Sequence, residues 1–244
     1  MTEMNQPTER TIILHYHLFK NAGTSVDAIL KRNFGDKWVT SEFPPMGGNN
    51  TALVEEWIRE TPDAIAYSSH TMMGPIPEVE GVRVISFMLL RDPIERIKSV
   101  YRFEKTQDAE TWGAQLAKRA DLNEYINKRL ERAGDRQCKD FQSSRLASIS
   151  REGITELERC FRALDLITVS GTVEKIDLAL SRLQHKADLY FKELDFSAVK
   201  RNTTIGTAQE DATGQTAKLL YQNNANDYIL WKYVNEHGPA SKAA

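Results

Sequence analysis

The sequence predicts an α/β protein in which helices cover both faces of a central parallel sheet. Apolar runs of strand length recur along the chain, and two of them are too continuous for strands wetted on one side. These runs are followed by small or turn-forming residues and then by apolar residues at helical spacing. Strands alternating with helices in this way imply parallel pairing through crossover connections.

The first run, Thr11–Leu18, is rich in β-branched and aromatic residues and stops at Lys20-Asn21-Ala22-Gly23, after which Val26, Ile29, Leu30 and Phe34 continue at helical period. A shorter strand is expected over Ala64–Ser69, closing at His70. Val82–Leu90 is almost wholly apolar, as a strand buried on both faces requires. Arg91 then leads to Asp92-Pro93, an N-cap residue with proline at the first helical position, and the stripe Ile94, Ile97, Tyr101 follows. Residues 111–164 carry helical patterning and many charges. Leu166–Ser170 is expected to be another strand, closed by Gly171 and followed by a helix bearing Ile176, Leu180 and Leu183. A single last helix is expected over Ala217–Glu236, stopped by Gly238-Pro239. One domain over residues 10–237 with flexible termini at 1–9 and 238–244 accounts for the whole pattern.

With 244 residues and 41% apolar residues the chain can bury one substantial core. Its 32 Lys and Arg against 34 Asp and Glu give a formal charge of −2, so no global positive field draws nucleic acid. An anionic ligand must therefore meet a local cluster. The two cysteines, Cys138 and Cys160, lack metal-ligand spacing and read as ordinary thiols of a reducing compartment. No stretch has the length of a membrane span and the opening residues lack an apolar leader, so a cytoplasmic location is expected.

The chemistry concentrates in two segments. In His17–Ser25 (HLFKNAGTS), a strand feeds a helix through small residues, which aims backbone N–H groups and the positive end of the helix dipole at one point. Gly23 is expected to let the backbone approach a ligand, Thr24 and Ser25 offer hydroxyls, and Lys20 brings a full charge. The second segment, Arg91–Tyr101 (RDPIERIKSVY), also leaves the carboxyl end of a strand, with Arg91 next to the crevice and Ser99 two turns into the helix. Taken singly, each is also what a solvated loop lysine or an ordinary capped helix would give.

Taken together, the two segments resemble the paired signature of the sulfotransferase superfamily, in particular the carbohydrate-type branch that includes heparan sulfate 2-O-sulfotransferase and its bacterial relatives. The carriers are Lys20, Gly23, Thr24 and Ser25, then Arg91, Asp92, Pro93, Arg96, Ser99 and Tyr101. The resemblance implies a three-layer, P-loop-like fold and 3′-phosphoadenosine-5′-phosphosulfate (PAPS) as sulfuryl donor. It makes Lys20, Asn21, Ala22, Gly23, Thr24 and Ser25 the 5′-phosphosulfate loop, and Arg91 with Ser99 the 3′-phosphate site. Weaker echoes imply that Lys200, Arg201 and Asn202 close over the nucleotide and that Gly171–Glu174 lies near the adenine; Cys138–Leu146 is a further echo. Asn21 stands where the family usually has Thr, and Phe19 where Pro is common.

Sulfuryl transfer needs in-line positioning and charge stabilisation on the leaving phosphate, a role that falls to Lys20. The attacking hydroxyl needs a base, and histidine suits neutral pH. Of the five histidines, His70 at the end of its strand is the first choice, and related enzymes have one at the comparable place. His17 shares a strand face with His15 and is expected beside the base or on the substrate side. No His, Cys and carboxylate cluster with metal-ligand spacing is apparent, so no metal is expected. The acceptor is expected to be a glycan, lipid-linked sugar or small molecule. Trp38, Trp57, Trp112 and Phe103 fit the core better than an acceptor cleft. Two rivals are a P-loop kinase or NTPase, which Thr24 in place of the P-loop lysine argues against, and a non-catalytic nucleotide-binding protein.

Overall fold

A computed structural model describes residues 9–197 and 211–238. Five strands, β1 (Arg10–Tyr16), β2 (Trp38–Thr40), β3 (Ala66–Ser69), β4 (Val82–Leu90) and β5 (Val169–Thr172), form one all-parallel sheet in the order β2-β3-β1-β4-β5. The α/β class and the parallel sheet are as the sequence implied.

Side chains of β1 alternate between two cores, as a period of two demands. Ile12, Leu14 and Tyr16 enter one, against α2 (Thr51–Glu60), α6 (Phe141–Ala147), α7 (Glu156–Leu166) and α10 (Ala225–His237). Ile13 enters the other, against α1 (Gly23–Phe34) and α8 (Ile176–Ala187), as do Ile85, Phe87 and Leu89 of β4. Both faces are covered, which is why β1 and β4 read as continuous apolar runs. A third cluster joins α3 (Pro93–Thr106), α4 (Trp112–Arg119), α5 (Leu122–Glu131) and Leu220 of α9 (Gly214–Gln222).

Three expectations need correction. Leu166 ends α7, and the strand expected over Leu166–Ser170 begins at Val169 and runs through Gly171 to Thr172. Gly171 is inside that strand because a Cβ there would stand 2.4 Å from the Cβ of Ala179 on α8. The single last helix is two, broken at Asn223-Asn224, where the Asn224 amide donates to the carbonyls of Cys138 and Leu220 (2.8 Å each). The strand β2 is too short to show a pattern, and α2 was missed although Val54, Trp57 and Ile58 recur at helical spacing. Cys138 and Cys160 are buried free thiols, and burial pushes the Cys138 thiol up to about 12. Among the described residues, no helix is long and apolar enough to cross a membrane.

The connection from β1 passes through α1 to β2 on one side of the sheet, and that from β4 leads to β5 on the other. Neighbouring strands whose chains depart in opposite directions open a crevice at their carboxyl ends, the usual ligand position in open α/β sheets. The segments after β1 and β4 meet there.

Candidate functional site

The loop after β1 is held open by backbone conformation. Lys20 (φ 66°) and Ala22 (φ 59°) are left-handed, a conformation that L side chains rarely adopt and that turns successive N–H groups toward a common point. Ala22 precedes α1 without a side-chain cap. Asn21 N–H donates to Leu18 and Ser25 N–H to Ala22, while the N–H groups of Ala22, Gly23 and Thr24 have no protein acceptor among the described residues. The hydroxyls of exposed Thr24 and half-buried Ser25 are equally free of protein partners among those residues.

Gly23 has a reason that sequence reasoning missed. A Cβ at this position would stand 1.9 Å from Cδ2 and Nε2 of His17, so glycine is needed to seat that ring against the start of α1.

Asn21 is also not a free loop side chain. It is buried, and its Nδ2 donates to the Leu89 carbonyl (2.8 Å) and to Gln142 Oε1 (2.7 Å). Gln142 Oε1 also accepts from Arg91 N–H, and its Nε2 donates to the Arg91 carbonyl, both at 2.8 Å. One glutamine on α6 therefore ties the two loops together. Asp227 of α10 fixes that glutamine by accepting from the N–H groups of Gln142 (3.0 Å) and Ser143 (2.6 Å) at the head of α6. The Asn21 side chain therefore braces the loop.

Arg91 donates from NH1 to the Lys20 carbonyl (3.0 Å). Lys20, with its ammonium 4.5 Å from the centre of the Phe103 ring, has no ion-pair partner among the described residues. Burial, then Arg91, then Arg102 lower its affinity for a proton. Burial likewise depresses Arg91, against the pull of Glu174 and Glu95. Lys20, Arg91 and Arg102 thus form a cationic cluster that an anion would relieve. Arg102 was not expected; it shares a face of α3 with Ser99, Glu95 and Phe103, a spacing visible only once Arg91 is known to face the loop.

The start of α3 differs from that of α1. Asp92 accepts from Ile94 N–H (2.9 Å) and Glu95 N–H (3.0 Å), with Pro93 at the first position, as expected. Arg96, one of the residues that carry the resemblance, is fully buried, donates to Gln137 and stacks on Phe141 (4.4 Å), so it serves the core. Tyr101 is also buried, donating to the Ala120 carbonyl (2.9 Å). Of the expected Gly171–Glu174 turn, Gly171 and Thr172 belong to β5, and Glu174 just beyond it meets the second loop, accepting from Asp92 N–H (3.0 Å) and from Trp231 Nε1 (2.9 Å).

His70 is exposed at the end of β3, and its Nδ1 lies 2.7 Å from Glu42 Oε1. Glu42 is partly buried, yet hydrogen bonds from Thr71 and His70 hold it below the usual carboxylate range. His17 is buried with its ring 3.8 Å from that of His70 and 5.1 Å from that of His15. Tyr16 pairs with Ser69 in the sheet, so the residues that follow them fall side by side.

Asp27 was missed. It lies in α1 with Oδ1 3.1 Å from His15 Nδ1 and Oδ2 2.9 Å from His17 Nδ1. Although burial raises its pKa, the two histidines hold it well below the usual carboxylate range. Burial lowers the pKa of His15, more than its bond to Asp27 raises it. The expectation that no cluster of metal-ligating side chains exists is therefore corrected: donor atoms of His15, His17 and Asp27 lie within 4.8 Å of one another. The spacing hid it, because the first turn of α1 brings Asp27 back over β1.

Trp38 donates to Ser68 (3.1 Å), Trp57 packs on Tyr67 and Trp112 lies under Arg129 and Arg132, so only Phe103 of the four aromatics reaches the site. Lys200, Arg201 and Asn202 lie outside the described residues.

The chain is 31% identical over 246 residues to an uncharacterized protein of Archaeoglobus fulgidus, a match that covers 92% of this chain and 96% of the relative. The chain belongs to the family of that archaeal protein. What this archaeal family shares is nearly the full length of both chains, well beyond the loop after β1. No protein-family model matches the chain.

Proposed function

We propose that the chain is a PAPS-dependent sulfotransferase that moves a sulfuryl group to a hydroxyl of a glycan, lipid-linked sugar or small molecule. The observation that carries this proposal is the pairing of an uncapped helix start with three clustered cations, Lys20, Arg91 and Arg102, where the chains leaving β1 and β4 part. The free N–H groups of Ala22, Gly23 and Thr24 suit a 5′-phosphosulfate, and Arg91, Ser99 and Arg102 suit a separate phosphate.

In the transfer, the acceptor oxygen forms a bond to sulfur as the bond from sulfur to the bridging phosphate oxygen breaks. Lys20 and the loop N–H groups balance charge arriving on that oxygen, and 3′-phosphoadenosine-5′-phosphate (PAP) leaves. His70 takes the acceptor proton at Nε2, its Nδ1 being engaged by Glu42. His17, its ring 3.8 Å from that of His70 and tilted to it, keeps the base in place from the buried side. The two free thiols agree with a cytoplasmic setting.

Calorimetry with PAP, followed by incubation with sulfur-labelled PAPS and a panel of hydroxylated acceptors, tests the proposal. Saturable one-to-one uptake of PAP and a labelled product are expected. Folded protein that takes up neither nucleotide overturns it. His70→Ala is expected to lower the transfer rate more than PAP affinity, and full activity in that variant removes His70 as the base.

A further inference from the structure

Beneath the loop, between β1 and α1, lies a group of side chains for which sulfuryl transfer needs no metal. His15 and His17 leave the same face of β1, and Asp27 sets one carboxylate oxygen against each of their Nδ1 atoms, at 3.1 and 2.9 Å. The donor atoms of all three fall within 4.8 Å of one another.

His17 is the informative member. It is only 6% exposed, and its Nδ1 is buried without a hydrogen-bond partner although the Asp27 oxygen is within reach. The distance suits a hydrogen bond and the direction does not. That leaves a buried ring nitrogen without a protein partner, a cost that a metal bond at the atom would relieve, as in sites where two imidazoles and a carboxylate converge on one ion.

We propose that His15 Nδ1, His17 Nδ1 and Asp27 bind one divalent first-row transition cation of the zinc class. Two imidazoles and one carboxylate favour zinc, cobalt, nickel or ferrous iron over magnesium or calcium, which take oxygen donors. Bonds of about 2.0–2.2 Å to each donor require side-chain adjustment around the ion, since the donors now lie up to 4.8 Å apart. Ser68, 3.2 Å from His15 Nδ1 and itself held by Trp38 Nε1 (3.1 Å), gives up that nitrogen when the ion binds. The ion joins β1 to α1 and puts positive charge under the loop whose Gly23 abuts the His17 ring.

This proposal does not rest on sulfuryl transfer, so its test reads metal rather than activity. Full-length protein stripped with EDTA is titrated with Zn²⁺ by calorimetry and with Co²⁺ by visible absorption. One equivalent is expected to bind with a dissociation constant of about 1 µM or tighter, and cobalt to show the intense bands of a low-coordinate, nitrogen-bound ion. His17→Ala and the near-isosteric Asp27→Asn are each expected to weaken binding at least about 100-fold, with His185→Ala as an unaffected control. Histidine nitrogen resonances of the wild type provide a readout independent of variant folding, with Nδ1 of His15 and His17 shifting on Zn²⁺ addition. No saturable uptake of either ion at about 100 µM, or uptake that leaves those resonances unmoved, overturns the proposal and reduces the cluster to a hydrogen-bonded clamp.

Discussion

The helices α1 and α3 both start at the carboxyl end of a central strand, yet their first turns are built oppositely. At α3, Asp92 satisfies the N–H groups of Ile94 and Glu95 with its own side chain. At α1, Ala22 has nothing to offer, and the first N–H groups remain without protein acceptors among the described residues. A capped helix has little left to give an anion, so any phosphate near α3 must be held by the side chains Arg91, Ser99 and Arg102. An uncapped start keeps its donors for a ligand and needs a braced loop to hold left-handed Lys20 and Ala22 in place. Under the proposed function the two starts would serve as anion sites of different construction, a backbone cradle and a side-chain clamp.

The contrast can be broken most forcefully at Lys20. Lys20→Ala is expected to lower transfer by about 10²–10³-fold, with the melting temperature nearly unchanged, in a labelled-PAPS assay paired with thermal unfolding. Normal turnover in that variant would remove charge stabilisation from the cradle.

Next in size is the brace. Gln142→Ala strips partners from the Asn21 amide and from both backbone groups of Arg91, so a loss of about 3 kcal/mol is expected, seen as a fall of about 6–12 °C in melting temperature. Retained stability would mean that the two loops stand independently.

Arg91→Ala separates clamp from cradle. PAP affinity is expected to fall about 10–100-fold by calorimetry, and unchanged affinity takes Arg91 out of the 3′-phosphate site. Asp92→Ala should destabilise by about 1 kcal/mol through loss of the cap, leaving PAP affinity as it was. If that substitution instead tightened PAP binding, the freed N–H groups of α3 would be acting as a second cradle.

The last effect is a pH dependence at the brace. Asp140, next to α6, has its carboxyl pushed up to about 6, chiefly by burial, from an ordinary 3.8. The folded state then holds a proton that the unfolded state releases, so this group's contribution to stability declines as pH rises from near 4 to near 6. Asp140→Asn is expected to flatten that part of the stability profile, measured by urea unfolding.

Physics local to a few residues was enough for part of this molecule. Apolar runs at Thr11–Leu18 and Val82–Leu90 announced central strands, and Asp92-Pro93 announced a helix start, because strand burial and capping depend on neighbours in sequence. The boundary errors at Leu166 and at Asn223-Asn224 arose where distant contacts overrule local propensity: Gly171 is shaped by Ala179, and Asn224 by Cys138. The site divides the same way. Lys20 and Arg91 could be named from the loops that carry them, and His70 from the end of its strand. Packing alone decided that Gln142 joins the loops, that Arg102 completes the cationic cluster, that Gly23 makes room for His17 and that Asp27 faces two histidines. None of these partners has a spacing that sequence periodicity records; a hydrogen bond between Asn21 and Gln142 exists only after the sheet and α6 have come together.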